Sequence, residues 1–382
     1  MPQKKKIIHI IQSLENGGCE NVLLRTLPLL QDFEHKIITL KTFGELTPKF
    51  VSAGIAVETI HCRGFFDISG IRRLQKTVKE ENPDIIITYL FHADMLGRLA
   101  LCNISQTPII PFLRTTYNHP KYLVARILEW LTRPLVNQYL ANSEAVKNFY
   151  VDTIGVRPEK ITVIPNGINI EYFNSITPDS ELKKSLGIDP DDFVIICVAN
   201  LHINKGHQYL LEAFERLRTS STTCHPGPDP GSSPKQKLKL LLVGDGEERK
   251  KLEQQIESYR SKNNILFLGK RSDVSNLLKI SNLFILPTLF EGMSNAIMEA
   301  MACELPIITT GINENKELIE NNQTGILVPT KSSEAIYKAI KTILENPELR
   351  KNLSKNAKLF IGESFSLNKI ATEWSLFLNN HT

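Results

Sequence analysis

The feature that most constrains this chain is a rhythm that runs through it twice. Short, wholly apolar runs alternate with stretches whose apolar residues recur at helical spacing. In the first pass, strands are expected at Lys6–Ile11, His35–Leu40, Ala56–Ile60, Asp84–Thr88, Pro108–Leu113, Tyr139–Ala141 and Ile161–Ile164. Helices fall between them at Glu20–Leu30, Leu46–Ala53, Ile68–Glu80, Ala93–Cys102, Tyr122–Asn137 and Glu144–Asp152. The second pass places strands at Phe193–Val198, Leu238–Val243, Ile265–Leu268, Leu283–Leu286, Pro306–Thr309 and Gly325–Val328. Its helices are Gly206–Leu217, Glu247–Tyr259, Val274–Lys279, Asn295–Ala302 and Lys316–Glu320, with Glu334–Leu344, Glu348–Phe360 and Leu367–Leu378 closing the chain. Strands without polar alternation are covered on both faces, and strands of that kind joined by helices form βαβ units in parallel sheets. The expected class is α/β, with two doubly wound domains in series. Ligands of such sheets bind beyond the carboxyl ends of the strands.

The boundary between the passes is marked by the turn signal Pro165-Asn166-Gly167 and a polar stretch, Asn169–Asp191, that contains Pro178 and Pro190. This stretch reads as a linker. The division is residues 1–175, residues 176–365, and a final helix at 366–382 that returns to the N-terminal domain. Thr219–Gln236 is rich in Ser, Thr, Pro and Gly and too long for an ordinary helix-to-strand loop. It reads as a disordered insertion. Its Cys224 and His225 have no second ligand pair nearby, so no metal site is expected.

A chain of 382 residues that is 42% apolar and 23% charged can fill two cores, which excludes wholesale disorder. No apolar run approaches the ~18 residues that a membrane span needs. The opening Lys4-Lys5-Lys6-Ile7-Ile8-His9-Ile10-Ile11 is too short and too polar-flanked for a signal peptide. The six cysteines are scattered without a Cys-x-x-Cys pair, which fits a reducing, cytoplasmic setting. Residues 1–175 hold 20 Lys and Arg against 16 Asp and Glu, a net +4, and the remainder is balanced at 25 against 25. That excess is too mild for a nucleic-acid partner. It suits a first domain that meets an anionic membrane surface, or one with no such partner.

Three loops that follow strands hold chemistry-bearing residues. The strongest is Phe290-Glu291-Gly292-Met293-Ser294-Asn295-Ala296-Ile297-Met298-Glu299. Ser294 or Asn295 can cap the helix that starts here, and its leading N–H groups can hold an anion. Glu291 precedes the helix and Glu299 lies about one turn inside it. Two carboxylates around an anion-binding helix start suit a sugar diphosphate; a capped helix with two solvated glutamates is the plainer reading. The second loop is Asn200-Leu201-His202-Ile203-Asn204-Lys205-Gly206, where a lysine at a helix start is a natural phosphate contact. The third is Asn16-Gly17-Gly18-Cys19-Glu20, where paired glycines let a loop approach a phosphate or simply make a tight turn. Neither Gly-x-Gly-x-x-Gly nor Gly-x-x-x-x-Gly-Lys-Ser/Thr occurs at these turns, which counts against dinucleotide and ATPase chemistry.

With these residues in view, the chain resembles the retaining glycosyltransferases of the "group 1" family, glycosyltransferase family 4, which have the GT-B fold of two Rossmann-like domains facing a central cleft. The resemblance runs nearly end to end, through NGGCENVLLRTL, FHADMLGRLA, NSEAVKNFY, PEKITVIPNGIN, VANLHINKGHQYLLEAF, LLVGDGEERKKLE, NNILFLGKRSDV, FEGMSNAIMEAMACELPIITT and GILVP. Glu291 and Glu299 form that family's Glu-x7-Glu pair. The resemblance implies that the second domain binds a nucleotide-sugar, either a UDP- or a GDP-sugar. Lys205 would hold the diphosphate, Glu299 the ribose, and Glu291 would face the donor sugar. Backbone groups of Met293, Ser294, Asn295 and Ala296 would take the distal phosphate. Arg271 would lie near the base, Gly244 would line the cleft, and Gly17 and Gly18 would close over the diphosphate. Asn200 stands where many members have an arginine, and Arg114 is the candidate replacement. Arg114 also stands where many have a histidine, with His92 and His119 nearby as acceptor or phosphate contacts.

The implied reaction moves a sugar to a glycan or lipid-linked acceptor with retention, in bacterial cell-envelope or lipopolysaccharide synthesis. No Asp-x-Asp-type site is evident, so neither a divalent metal nor another cofactor is expected. The Tyr122–Asn137 helix, apolar with Arg126 and Arg133, reads either as a packed helix or as one lying near the cytoplasmic face of the inner membrane. A sugar-nucleotide epimerase of similar fold and a non-catalytic nucleotide-sugar-binding protein are the competing classes; a phosphorylase-like enzyme would need a pyridoxal lysine and a much longer chain.

Overall fold

A computed structural model describes residues 4–102, 107–116, 122–220 and 237–381. They form two compact units. One comprises Met1–Gly167 with Phe365–Thr382, and the other Ile168–Ser364.

The first unit holds seven parallel strands: β1 (Lys5–Ile11), β2 (Phe33–Thr39), β3 (Ala56–Thr59), β4 (Ile85–Tyr89), β5 (Ile109–Leu113), β6 (Tyr139–Ala141) and β7 (Ile161–Val163). Their order is β3-β2-β1-β4-β5-β6-β7. The run of isoleucines in β1 explains its central place. Ile7 and Ile11 enter one core cluster while Ile8 and Ile10 enter another, and all four are fully buried. A strand apolar on both sides belongs between two layers of helices. The final helix, Leu367–His381, supplies part of one layer. Its Ile370, Trp374, Phe377 and Leu378 join the cluster of Ile7 and Ile11, and Trp374 meets Phe112 edge-on at 5.3 Å.

The second unit holds six parallel strands: β8 (Phe193–Val198), β9 (Leu238–Val243), β10 (Ile265–Gly269), β11 (Leu283–Leu286), β12 (Ile307–Thr310) and β13 (Ile326–Val328). Their order is β10-β9-β8-β11-β12-β13. Each sheet therefore reverses its winding once, between β1 and β4 in the first and between β8 and β11 in the second.

Four local differences from the sequence reading have physical causes. The expected linker contains two short helices, Ile170–Ser175 and Ser180–Ser185, whose starts are capped by the side chains of Asn169 and Asp179. Helices this short bury almost nothing, so no apolar period announces them. The short helix after β12 lies at Asn313–Lys316 rather than 316–320. Buried Asn315 anchors it by donating to Thr309 Oγ1 at 2.8 Å and the Thr310 carbonyl at 3.0 Å, so its inner face is polar. The helix expected at Tyr122–Asn137 is α-helical only over Leu123–Thr132 and tightens to a 3-10 turn at Arg133–Leu135, where Pro134 lacks a donor. The helix from Glu144 ends as an α-helix at Phe149 and widens to a π turn over Tyr150–Ile154, which Gly155 closes with a φ of 75°. The helix His207–Ser220 runs into the expected insertion; residues 221–236, with Cys224 and His225, lie outside the described residues, as does His119.

Candidate functional site

In the second unit, β8 and β11 are neighbours whose chains leave for opposite faces, and this is the position where doubly wound sheets open a crevice. The two loops that emerge there are tied together. Asn204 of the first presents its carbonyl to the Leu289 amide at 2.7 Å and to Thr288 Oγ1 at 3.1 Å. Thr288 is fully buried, and its own carbonyl accepts from Thr310 Oγ1 at the end of β12. Gly206 makes the approach possible: its φ is +68°, and a Cβ there would run into the Pro287 carbonyl oxygen. The 3-10 turn Ile203–Lys205 is held against the loop after β11 in this way.

The result is a direct ion pair between the Lys205 ammonium and Glu291 Oε1, with the two side chains 18% and 14% exposed. Just beyond Glu291, Gly292, Met293 and Ser294 are buried. Ser294 rather than Asn295 is the cap of the helix Asn295–Ala302, its Oγ accepting from the Ile297 amide at 3.4 Å. Asn295, Ala296 and Glu299 are half-buried on that helix. A lysine, a carboxylate and a helix start thus share one crevice, which is chemistry suited to an anion that also carries hydroxyl groups.

The loops after β9 and β10 extend the same edge. Gly244 has a φ of +133°, a Cβ there would overlap the Ala199 carbonyl oxygen, and its amide donates to the Gly269 carbonyl at 2.8 Å. The Leu201 amide donates to the Asp245 carbonyl at 3.0 Å, which locks the loop bearing exposed Asn200 to the loop bearing Gly244. Arg271, after β10, is engaged by Asp273 at 2.8 and 2.6 Å, and these bonds raise its pKa further.

Two residues here escape sequence reasoning. Arg249 pairs with Glu253 at 2.8 Å and Asp245 at 3.6 Å, and its Nη1 lies beside Gly269. His207 is buried with both ring nitrogens lacking hydrogen-bond partners. Burial first, and then the charges of Lys205 and His202, push its pKa down to about 4, so it is neutral. The only sequence signal is a polar residue at the start of a helix whose Leu210, Leu211, Ala213, Phe214 and Leu217 are apolar.

In the first unit, Gly17 is the extended residue before the helix Gly18–Thr26. Glu20 of that helix is buried, which raises its carboxyl pKa, and the charge of Arg114 acts against the rise. Arg114, after β5, donates from Nη2 to Asn166 Oδ1 at 3.0 Å and lies 5.0 Å over the Phe112 ring, while its buried Nη1 has no partner. His92 is exposed and belongs to a different group: it stacks on Phe65 at 6.2 Å and lines a hollow with Gln12, Lys41 and Cys62. Among the described residues, no three His, Cys, Asp or Glu side chains gather as metal ligands would.

The family model "Glycosyl transferases group 1" matches residues 178–360, and "Glycosyltransferase Family 4" matches residues 16–172. The UDP-Gal:alpha-D-GlcNAc-diphosphoundecaprenol alpha-1,3-galactosyltransferase of Escherichia coli is 29% identical over 380 residues, covering 96% of this chain and 94% of that one. A Campylobacter jejuni enzyme, N-acetylgalactosamine-N,N'-diacetylbacillosaminyl-diphospho-undecaprenol 4-alpha-N-acetylgalactosaminyltransferase, is 24% identical over 372 residues, covering 93% and 94%. Among solved structures, Anabaena HepE in complex with UDP-glucose superposes with a TM-score of 0.83 at 24% identity, covering 98% of this chain and 99% of that one. The fold is GT-B, and the chain belongs to the group 1, family 4 glycosyltransferases.

Proposed function

We propose that this enzyme moves a sugar from a UDP- or GDP-sugar to a glycan or lipid-linked acceptor, with retention of configuration, in bacterial cell-envelope polysaccharide synthesis. The observation that carries the reading is the pairing of Lys205 with Glu291 at the crevice between β8 and β11, next to the start of the helix Asn295–Ala302. Departure of a nucleoside diphosphate builds negative charge on phosphate while the sugar becomes cationic. Donors aimed at that charge in advance lower the barrier most. Lys205 and the amides around Met293–Ala296 take the diphosphate, Glu291 faces the donor sugar, and Glu299 holds the ribose. Asn200, Gly244 and Arg271 border the nucleotide. These groups stand in for a divalent cation, and the leaving phosphate itself assists deprotonation of the acceptor hydroxyl. The first unit takes the acceptor, with Gly17, Gly18 and Arg114 as its anion-facing groups.

The relatives support the finer points. The E. coli and C. jejuni enzymes are named for α-linked products and diphosphoundecaprenol acceptors, and an α-linked product from an α-configured sugar nucleotide is retention. The test is a panel of UDP-, GDP- and ADP-sugars, screened by thermal shift and then incubated with polyprenyl-diphosphate-linked sugars while free nucleoside diphosphate is measured. A donor that binds raises the melting temperature. The product anomer is read by NMR. If no sugar nucleotide raises the melting temperature and none is consumed, the reading fails.

A further inference from the structure

The carboxyl end of the first sheet carries a small hollow that takes no part in the donor chemistry above. Beyond their last paired residues the chains of β1, β2 and β3 stay in step. The Leu40 amide donates to the Ile11 carbonyl at 2.9 Å, the Lys41 amide to the Gln12 carbonyl at 2.9 Å, and the Cys62 amide to the Leu40 carbonyl at 2.6 Å. The loop that follows β3 is tied down by Asp67, whose carboxylate accepts from the Arg63 amide and the Gly70 amide, each at 2.9 Å. Phe65, carried on that loop, packs against the core cluster that contains Ile8, Ile10 and Leu96. The helix Leu90–Leu101 supplies buried Leu96 and the His92 ring, which stacks on Phe65 at 6.2 Å. Gln12 follows β1 and His92 lies in the helix after β4, so the hollow sits where the winding of this sheet reverses, the position at which doubly wound sheets take ligands.

Its size selects the group it can take. The hollow measures about 30 Å³. A water-sized group needs ~10–15 Å³ of such space, so about two or three heavy atoms fit and a sugar ring does not. Cys62, Phe65 and Leu96 give it apolar walls. Gln12, half-buried, and Lys41 and His92, both exposed, line it as well, and among the described residues that line it there is no Asp or Glu. An acetamido group matches both kinds of wall. Its methyl lies against the apolar side chains, and its carbonyl oxygen accepts from the Lys41 ammonium or the Gln12 amide. A hydroxyl in its place leaves the apolar walls unfilled. An ammonium meets a lysine and no carboxylate. A carboxylate satisfies Lys41 but gives up its hydration to apolar walls.

We propose that this hollow receives the acetamido group of the acceptor sugar, so that the first unit selects an N-acetylated acceptor; the inference rests on the reading above, in which that unit takes the acceptor. The probes are octyl α-glycosides of N-acetylglucosamine and N-acetylgalactosamine, each matched with its hydroxyl and free-amine counterparts. Saturation-transfer NMR on the whole chain reads binding directly, and the acetyl methyl protons give the strongest signal. Phe65→Ala and Lys41→Met each weaken it. In turnover, kcat/KM for the acetamido acceptor exceeds that for its hydroxyl counterpart by about tenfold or more, the worth of one small group in a fitted pocket, and both variants lower this ratio. Lys41 is exposed, so Lys41→Met keeps the wild-type melting temperature and decides the question if Phe65→Ala does not fold. Absence of acetyl saturation on the wild-type chain overturns the proposal, as does a preference that either folded variant keeps unchanged. A matched deoxy sugar saturated more strongly at its own methyl does so too, by assigning the hollow to a bare methyl group. Acetyl saturation without consumption of any sugar nucleotide defeats the catalytic reading alone, whereas turnover of acetamido and hydroxyl acceptors at equal rates defeats this inference alone.

Discussion

Lys205 donates a hydrogen bond to Glu291 across 86 residues of sequence, and the bond exists because β8 and β11 are neighbours in the sheet. An ammonium has three donors, so it can hold the carboxylate and a phosphate oxygen together. Lys205→Ala is expected to lower kcat by about 10²- to 10³-fold, the range seen when one preorganised donor to developing charge is removed. The loss should fall mainly on kcat rather than KM, because the charge develops in the transition state. Glu291→Gln keeps the shape and removes the charge, and should also reduce kcat. Steady-state kinetics check both; a Lys205→Ala enzyme with wild-type turnover would remove Lys205 from the mechanism.

Gly206 sets the position of that lysine. Its φ of +68° and the nearness of the Pro287 carbonyl leave no room for a side chain. Gly206→Ala therefore combines a backbone penalty of roughly 1 kcal/mol with a steric conflict, and the loop bearing Lys205 has to shift. The expected outcome is a lowered melting temperature together with a fall in kcat, whereas Gly54→Ala, with nothing near its Cβ, should leave kcat untouched.

Much of this arrangement was readable from the chain because strand burial and helix starts write local signals. The paired apolar faces of Ile7–Ile11 announce a covered parallel strand, and Ser294 announces the helix start where it is found. What could not be read depends on sheet order or on polar contacts. Nothing local links Lys205 to Glu291 rather than to some other carboxylate. Arg249 and His207 sit in helices whose apolar residues alone give the period. The helix Leu123–Thr132 was legible as a helix, but its sequence allowed the apolar stripe to pack inward or to face out, and only the buried Arg98 contacts show that it faces out.

The Arg98 cluster makes a separate claim about stability. One guanidinium sits between Asp94 and Glu129, all three buried. Removing Arg98 strands two carboxylates, so Arg98→Ala is expected to cost about 3–5 kcal/mol in urea unfolding. Glu129 behaves differently, because burial pushes its pKa from 4.5 up to about 7. The folded state then holds a proton that the unfolded chain has lost, so this residue's contribution falls as pH rises from about 4.5 through 7. Glu129→Gln should remove that slope and cost least above it, as measured by unfolding across the range.

A chain of rings in the first sheet gives a pH dependence of opposite sign. His35 Nε2 donates to the Leu30 carbonyl at 3.2 Å, so its Nδ1 accepts from His9 Nε2 at 3.0 Å. His9 Nδ1 is then left to accept from the Tyr89 hydroxyl at 2.8 Å. This order requires both imidazoles to be neutral. Burial holds the pKa of His9 well below its usual value, helped by His35; burial and the nearby Lys4 charge bring that of His35 from 6.5 to about 4. Both rings titrate lower in the folded state, so their contribution is complete above pH 6.5 and is lost as pH falls toward 4, where only the unfolded chain gains protons. For His35 this amounts to roughly 3 kcal/mol. Unfolding free energies of wild type and His35→Gln, compared from pH 7.5 downward (roughly in half-unit steps), should converge as the pH falls below about 6.5. Parallel curves would show that His35 is protonated alike in both states and that the chain of rings does not exist in solution.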